Sequence, residues 1–366
     1  MLTAADFIPN SYTSAIENGN FEWSAPSNIA LVKYWGKKDN QIPANPSVSF
    51  TLNNCKTITK LGFEKRDASS LLNVTNGFSF DLLFEGKPKE DFKPKIQKFL
   101  ERVEVYLPFL KEYHFTIDTQ NTFPHSSGIA SSASGMAALA MNFMSLERKL
   151  NPEMTDEYFY QKASFLARLG SGSACRSVKG NVVVWGNQEN IEGSTDLFGV
   201  EFPYTIHENF KNYQDTILLV DKGEKQVSST VGHDLMHNHP YAERRFAQAH
   251  ENLDKLISIF ENGDLNEFIK VVESEALTLH AMMMTSMPYF ILMKPNTLQI
   301  INAIWKFRNE TQIPVCFTLD AGANVHVLYP ENVSEKVLQF IQDELVVFCQ
   351  NSQYICDKIG EGAIAL

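Results

Sequence analysis

The chain has 366 residues, of which 44% are hydrophobic and 20% charged, and its formal net charge is −11. This length favours about two folded domains, and the acidic balance argues against nucleic acid or an anionic membrane surface as a partner. The five cysteines are scattered without a CxxC pair, which argues against a disulfide framework or a zinc site and fits a reducing cytoplasm. The first residues, MLTAADFIPN, lack a basic region and a long apolar run, so no secretory signal is predicted.

Residues 1–20 are predicted to be irregular. Apolar runs and alternation then predict strands in the N-terminal half, at 21–33, 42–52, 58–64, 78–84, 113–117 and 181–185. Helical spacing predicts helices at 93–106, 136–150 and 155–170. Asp156 and Glu157 lie in the first turn of the last of these, where negative charge suits the helix dipole. Residues 187–213 are polar and irregular, so we place a boundary there between domains 1–200 and 201–366.

The second half is predicted to contain strands at 216–220, 315–319 and 325–329, and helices at 242–262, 265–278, 297–311 and 334–349. The most apolar stretch, 276–293, is interrupted by polar residues and Pro288. It is therefore interpreted as a buried helix and turn, not a membrane span. Because strands and helices come in mixed runs without strict alternation, the predicted fold class is α+β.

The segment 121–135, NTFPHSSGIASSASG, lies between a predicted strand and a predicted small-residue helix. Its glycines, Gly128 and Gly135, let backbone N–H groups approach an anion closely, and the following helix start adds unpaired N–H donors and a positive dipole end. We interpret it as a phosphate cradle, although it lacks the Gly-Lys-Ser/Thr ending of a Walker A loop. The alternative is a serine-rich turn before a helix that packs on a sheet.

Three other stretches concentrate polar residues where strands or helices end: Asn28, Lys33 and Lys37; Ser171, Ser173 and Arg176; and Asp320. Each has a structural alternative. The Lys33 ammonium group can reach solvent from an apolar segment, Lys37 suits a solvated turn, Arg176 can cap a helix, and Asp320 before Ala-Gly is a common turn residue. Together they form a chemically sensible set of a lysine, an arginine for a carboxylate and one acid.

Five motifs carry a resemblance that extends across nearly the whole chain. They are NIALVKYWGKKD, FPHSSGIASSASG, GSGSACRS, KQVSSTVGH and TLDAGANVHVLY. In this order and at these separations they resemble the diphosphomevalonate decarboxylases of the GHMP-kinase superfamily. The resemblance implies a two-domain α+β fold with the active site in the cleft between domains. It also implies ATP-dependent conversion of mevalonate 5-diphosphate to isopentenyl diphosphate, with Mg²⁺ as cofactor, ADP, phosphate and CO2 as further products, and a homodimer as the assembly.

The resemblance also assigns roles position by position. Asp320 matches the essential aspartate near the substrate's tertiary hydroxyl, Arg176 the arginine that holds its carboxylate, and Lys33 the lysine of the KYWGK motif. These three are the predicted catalytic residues. The predicted substrate-binding residues are Tyr34, Lys37, Ser171, Gly172, Ser173 and again Arg176. The predicted ATP-binding residues are Ser126, Ser127, Gly128, Ala130, Ser131 and Ser132, of which Ser131 and Ser132 also lie beside the magnesium.

The chain departs from the family pattern at three places. The common PTAAGLASSAAG form is PHSSGIASSASG here, the usual DAGPN is DAGAN, and the segment after KYWGKKD, QIPANPSVSF, is shorter and richer in proline than in familiar eukaryotic members. None of these departures removes a matched catalytic residue, but the contacts of the phosphate loop are left open.

Several rival functions remain on the same scaffold. A mevalonate 3-kinase would phosphorylate without decarboxylating, and a phosphomevalonate decarboxylase would act on the monophosphate. A third alternative, a non-catalytic small-molecule sensor, would tolerate loss of Asp320, which this chain retains. A dehydrogenase is disfavoured because no GxGxxG follows a strand with an acidic residue about twenty positions later.

Overall fold

A computed structural model describes residues 2–67, 77–124, 129–223 and 229–366. The strands in these ranges are β1 (Asn18–Val32), β2 (Ser47–Lys65), β3 (Ser79–Phe84), β4 (Lys87–Pro88), β5 (Tyr113–Asn121), β6 (Val182–Trp185), β7 (Val200–Glu201), β8 (Gln214–Leu218), β9 (Cys316–Thr318), β10 (Val325–Tyr329), β11 (Tyr354–Lys358) and β12 (Ile364–Ala365). The α-helices are α1 (Lys93–Val103), α2 (Ser131–Leu150), α3 (Asp156–Gly170), α4 (Ser229–Asp234), α5 (Ala242–Asn262), α6 (Leu265–Thr285), α7 (Pro295–Thr311) and α8 (Ser334–Phe340). The predicted α+β class is confirmed.

The N-terminal half is built on one large mixed sheet. Its main path runs β12-β1-β2-β5-β3-β4, and β6 joins β2 to β7. The pairs are antiparallel except for β3 with β5, which is parallel. Helix α2 packs on β1 and β2, and its alanines at 137, 138 and 140 are completely buried. The small residues that mark this helix in the sequence therefore allow a close approach between helix and sheet.

The C-terminal half contains a second sheet, ordered β11-β8-β10-β9 and antiparallel throughout. One hydrophobic core nevertheless joins the two halves, because Phe50 of β2 and Ile217 of β8 belong to the same buried cluster as Leu256 of α5. The chain also returns at its end, where Ala365 in β12 pairs with Trp23 in β1. The two halves are thus packed along an extensive buried surface.

The boundaries of several predicted elements were wrong. The strands predicted at 42–52 and 58–64 are one strand, β2, because the Asp357 carboxylate accepts hydrogen bonds from the N–H groups of Asn53, Asn54 and Cys55. That distant partner satisfies the polar interruption in the middle of the strand. Helix α2 begins at Ser131, five residues earlier than predicted.

The largest differences lie near the C-terminus. The helix predicted at 334–349 ends at Phe340 and continues as a π turn, Ile341–Leu345, and a 3₁₀ turn, Val346–Phe348. Strands β11 and β12 were not predicted at all. Helix α6 continues to Thr285, seven residues beyond the predicted end at 278. No helix in the described ranges has the length and apolar character needed to cross a membrane.

Candidate active site

The centre of the site is an ion pair between the two halves of the chain. Lys33 directly follows β1, and Asp320 lies two residues beyond β9. The Lys33 Nζ atom donates to Asp320 Oδ1 at 3.0 Å. The lysine side chain is 2% exposed, whereas 30% of the aspartate side chain is exposed. Burial lowers the pKa of Lys33, and the Asp320 and Glu275 carboxylates oppose that shift.

A fully buried ion pair supports the Lys33 backbone. Arg245 of α5 donates to both carboxylate oxygens of Glu275 in α6, at 3.0 and 2.6 Å. Glu275 Oε2 also accepts the Lys33 N–H at 2.9 Å, and Arg245 donates to the Lys33 carbonyl at 2.9 Å. Both backbone groups of Lys33 are therefore held by charged partners, which fixes where its side chain begins.

Arg176 lies near this pair in the 3₁₀ turn Gly172–Ser177. Its Nε and Nη1 atoms donate to the hydroxyls of Ser49 at 2.6 Å and Ser47 at 2.5 Å, both on β2. The guanidinium carbon lies 5.7 Å from the centre of the Trp185 ring. Burial lowers the pKa of Arg176, while Asp320 opposes that shift; because the ordinary arginine pKa is so high, the group stays charged.

The predicted substrate residues Tyr34 and Gly172 meet each other. A Cβ atom on Gly172 would lie 2.9 Å from the Tyr34 hydroxyl and 2.9 Å from the Trp185 ring. Only glycine leaves Tyr34 in its present position. Burial raises the pKa of Tyr34 well above its ordinary value, so the phenol remains a neutral hydrogen-bonding group.

Asn28 and Ser173 act within the same wall of the site. The Asn28 amide donates to the Ser173 carbonyl at 3.2 Å and to the Ser177 hydroxyl at 2.7 Å. These bonds tie β1 to the 3₁₀ turn that carries Arg176. The recorded contact of Ser173 thus involves its backbone, and the predicted substrate contact of its hydroxyl stays a prediction.

Lys37 lies farther along the same segment and faces α4. Its Nζ atom is 3.5 Å from Asp234 Oδ1, and the lysine side chain is largely buried while the aspartate is exposed. His233, the preceding residue, accepts the Gly36 N–H at its Nδ1 atom at 3.0 Å. The sequence signal was present in the motif KQVSSTVGH, but His233 itself was not among the predicted site residues.

The predicted phosphate cradle is only partly within the described residues. Ser126, Ser127 and Gly128 lie outside them. Ala130 directly precedes α2 and has a left-handed backbone, with φ 37° and ψ 36°. Such a conformation in a residue other than glycine carries strain and is found at functional sites more often than elsewhere.

Ser131 and Ser132 form the first turn of α2, where backbone N–H groups have no partner within the helix. The Ser132 hydroxyl donates to the Ser171 hydroxyl at 3.0 Å. Lys95 of α1 donates to Ser132 Oγ at 2.9 Å. One chain of hydrogen bonds therefore joins Lys95, Ser132 of the predicted phosphate cradle, and Ser171 of the segment 170–177 (GSGSACRS), here called the substrate loop.

Lys95 was missed because it occupies an ordinary exposed position in the helical pattern of α1. Although much of its side chain is exposed, desolvation of its ammonium group lowers its pKa. It borders a cavity of about 160 Å³ next to the start of α2. The cavity wall is mainly apolar and includes Leu82, Phe84, Ile96 and Met136, together with Ser131 and Ser132. The flat aromatic base of a nucleotide suits such an apolar wall, and the phosphates of that nucleotide would reach the N-terminus of α2.

Asp320 is also held through its backbone. The His280 Nε2 atom of α6 donates to the Asp320 carbonyl at 3.2 Å. Burial and the nearby Lys33 charge lower the pKa of His280 to about 4, so the imidazole is neutral at neutral pH. In the parts of the chain that the structure describes, no group of three or more His, Cys, Asp or Glu residues is arranged to hold a metal ion.

Two family models match consecutive parts of the chain. Residues 25–196 match the diphosphomevalonate decarboxylase-like N-terminal domain, and residues 216–362 match the mevalonate 5-diphosphate decarboxylase C-terminal domain. The diphosphomevalonate decarboxylase of Saccharomyces cerevisiae is 30% identical over 329 residues, which cover 87% of this chain and 80% of the yeast protein.

Two further matches are a relative named for a different substrate and a solved structure of a complex. The phosphomevalonate decarboxylase of Haloferax volcanii is 27% identical over 315 residues, covering 86% of this chain and 89% of that protein. The structure of MDDEF in complex with MVAPP, AMPPCP and magnesium superposes with a TM-score of 0.79 at 27% identity, covering 95% of this chain and 98% of the other.

Proposed function

The chain belongs to the diphosphomevalonate decarboxylase family, and on that basis we propose that it converts mevalonate 5-diphosphate and ATP to isopentenyl diphosphate, ADP, phosphate and CO2. The observation that carries this proposal is the Lys33–Asp320 pair, with Arg176 beside it. This arrangement places one partly exposed carboxylate and two buried cations where the two halves of the chain meet. The carboxylate suits the tertiary hydroxyl of such a substrate, and a cation suits its carboxylate.

Asp320 is the proposed acid–base or electrostatic group of the reaction. Its carboxylate can accept the proton of the tertiary hydroxyl, or orient that hydroxyl and stabilise positive charge at the tertiary carbon after the phosphate leaves. Lys33 Nζ donates a hydrogen bond to this carboxylate at 3.0 Å and so helps to hold it in place. Its own backbone is fixed by Glu275 and Arg245, which limits movement of the pair.

Arg176 is the proposed partner of the substrate carboxylate. Its Nε and Nη1 atoms are oriented by Ser49 and Ser47, and both serines are completely buried. The guanidinium group therefore enters the site in a fixed plane, which suits paired hydrogen bonds to a carboxylate. After transfer of the γ-phosphoryl group of ATP to the tertiary hydroxyl, loss of CO2 supplies the electron pair of the new double bond as that phosphate leaves with the electrons of its C–O bond. Tyr34, Gly172, Ser171 and Ser173 complete the proposed substrate wall, and Lys37 is proposed for the diphosphate.

ATP supplies the phosphoryl group, and magnesium offsets the charge of its phosphates. Three features of the chain suit ATP: the apolar cavity, the N-terminus of α2, and Lys95. The hydrogen-bond partner of Lys95 is the neutral Ser132 hydroxyl. We propose that Ser131 and Ser132 lie beside the phosphates and the metal, with Ala130 and the segment 126–128 completing the loop. The metal would then be held largely by ATP itself.

The assembly and the domain boundary are also proposals. A homodimer in the cytoplasm is the assembly that the family resemblance favours. A division near residues 200 and 201 is supported by the interval 197–215 that separates the two family matches. The shared core around Phe50 and Ile217 would then be an extensive interface between domains.

A coupled assay tests the proposed reaction. ADP and CO2 are followed together with ATP, magnesium and mevalonate 5-diphosphate, and the reaction is repeated with mevalonate and with its 5-monophosphate. Equal amounts of ADP and CO2, formed only from the diphosphate, are expected. ADP without CO2 would identify a kinase, turnover of the monophosphate would assign the activity named for the Haloferax relative, and absence of ATP consumption would favour a sensor.

A further inference from the structure

Helix α4 contacts the substrate segment 34–37 through three consecutive residues. A Cβ atom on Gly232 would lie 2.4 Å from the Trp35 ring, so only glycine permits this approach. His233 accepts the Gly36 N–H at 3.0 Å, and Asp234 pairs with Lys37 at 3.5 Å. The last three residues of α4 therefore meet Trp35, Gly36 and Lys37 in turn, within the segment that also carries Tyr34.

His233 makes the most extensive of these contacts. Its ring centre is 4.2 Å from that of Tyr34 and 4.8 Å from that of Trp35. His233 is 8% exposed. Gly36 itself has a φ of 98°, a backbone conformation that side chains other than glycine rarely adopt. The histidine thus supplies the hydrogen-bond acceptor for the backbone N–H of a turn whose conformation requires glycine.

The protonation state of His233 follows from its surroundings. An Nδ1 atom that accepts a hydrogen bond carries no proton, so the neutral ring has its proton on Nε2. Burial, with the positive charges of Lys37 and Arg176, lowers the pKa of His233 to about 3. The acceptor is consequently retained throughout the neutral pH range.

We propose that His233 is a positioning residue, which orients Tyr34 and Lys37 toward the diphosphate end of the substrate through its bond to the Gly36 N–H. This inference rests on the proposed function, because Tyr34 and Lys37 are substrate residues only in that reaction. It assigns a role to the motif KQVSSTVGH that the chemistry of Lys33, Arg176 and Asp320 does not require. His233 acts through the turn and does not need to touch the reacting atoms.

Two substitutions separate the hydrogen bond from the ring. His233→Phe retains an aromatic ring but removes the acceptor, whereas His233→Asn places an amide oxygen near the position of Nδ1 and removes the ring. An unmet buried N–H weakens the correct conformation of the turn by about 10-fold or more. His237→Asn is the matched control, because His237 is exposed just after α4 and its recorded hydrogen bond is made by its backbone N–H.

Steady-state kinetics with saturating ATP and varied mevalonate 5-diphosphate provide the test. For His233→Phe we expect KM to rise about 10-fold while kcat stays within about 3-fold of the wild-type value. The reason is that the lost contacts bind the substrate equally in the ground state and in the transition state. His233→Asn should have a KM close to the wild-type value, and His237→Asn should match the wild type in both KM and kcat. A wild-type KM in His233→Phe, equal defects in the Phe and Asn variants, or a loss confined to kcat would overturn the proposal.

Folding and substrate identity are controlled separately. Near-UV circular dichroism and thermal unfolding establish that each variant is folded. If His233→Phe does not fold, His233→Gln takes its place, because its amide lies near Nε2 and cannot reach the Gly36 N–H; its KM must then exceed that of His233→Asn. If the wild type prefers the monophosphate, the proposed substrate fails, and the same variants are compared on the monophosphate to decide the role of His233.

Discussion

Two buried cation–carboxylate pairs lie beside each other in this protein, and they differ in how far they are closed. Arg245 and Glu275 are both completely buried, and Asn252 donates a further hydrogen bond to Glu275 at 2.7 Å. Lys33 is almost as buried, but its partner Asp320 is 30% exposed. A closed pair uses its hydrogen-bonding capacity to hold backbone, whereas the partly open pair keeps a carboxylate accessible to a substrate.

The two pairs are also connected. Glu275 accepts the Lys33 N–H, and Arg245 donates to the Lys33 carbonyl. The closed pair therefore positions the open one, and the two should respond differently to loss of a charge. Substitution in the open pair should affect the reaction rate, and substitution in the closed pair should affect the free energy of unfolding.

The largest effect is expected from Asp320→Asn. The amide cannot accept a proton from the substrate hydroxyl, and a positioned base contributes about 10²–10⁴-fold, so kcat should fall at least 10²-fold. Most of the affinity for substrate should remain. Rates of ADP and CO2 formation measure the effect, with Asp343→Asn on an exposed turn as control. A kcat within a few-fold of the wild type would remove Asp320 from its proposed role.

Glu275→Gln tests the closed pair. It leaves Arg245 buried without a counter-ion, and breaking such a pair costs about 3–5 kcal/mol in the free energy of unfolding. Urea unfolding followed by circular dichroism measures the loss. Glu251→Gln is the matched control, because it breaks an exposed pair with Arg244 on α5 and should change stability little. Equal stability of the two variants would contradict the distinction between closed and exposed pairs.

Arg176→Lys tests the second cation of the open site. Lysine cannot donate to Ser47 and Ser49 and also present two parallel donors to a carboxylate. We expect a higher KM and a lower kcat, with kcat/KM reduced about 10–100-fold because a hydrogen bond to a charged group is lost. Arg244→Lys on the exposed face of α5 should be silent in the same kinetic assay. Unchanged kinetics in Arg176→Lys would refute the assignment.

The open and closed pairs also show what the sequence could and could not predict. Lys33, Arg176 and Asp320 were predicted because each ends or follows a recognisable element and lies within a distinctive motif. Glu275 and Arg245 were not predicted, since both fall inside regular helical patterns, 242–262 and 265–278, where charged residues are usually exposed. Their burial depends on packing against Lys33, more than 200 positions away.

The same reason explains the errors in the fold. The interruption of β2 at Asn53 and Asn54 is satisfied by Asp357, about 300 residues later in the chain. Strand β12 exists because Ala365 pairs with Trp23 at the other end of the sequence. Periodicity predicted α5 and β10 to the residue, since their patterns are local, and it cannot anticipate partners of this kind.

A smaller effect is expected in the pH dependence of stability. It concerns His280, which donates to the backbone carbonyl of Asp320 in the open pair. The folded-state pKa of His280 is lowered to about 4, so between that pH and its ordinary value the unfolded chain binds a proton that the folded chain does not. Stability should therefore fall as pH decreases through this window, by about 1.4 kcal/mol per pH unit. His233, with a pKa lowered to about 3, should add a similar slope.

His280→Gln isolates this contribution. Glutamine can still donate to the Asp320 carbonyl but does not titrate. Urea unfolding is measured across about pH 4.5–6.5. The free energy of unfolding of the variant should depend less steeply on pH than that of the wild type, by an amount that corresponds to the uptake of about one proton. An identical slope would mean that His280 is not buried in its neutral form.

Lys95 differs from both pairs because its side chain is largely exposed, and Lys95→Met should have the smallest effect. Its recorded hydrogen bond goes to the Ser132 hydroxyl, and none of the carboxylates that the structure describes forms an ion pair with it. A cation beside a helix start is suited to an incoming phosphate, so loss of one charge-assisted bond should raise KM for ATP about 10-fold. Lys98→Met, on the same helix and exposed, is the control. Because Ser132 also donates to Ser171, an increase confined to the KM for mevalonate 5-diphosphate would instead assign Lys95 to the substrate loop.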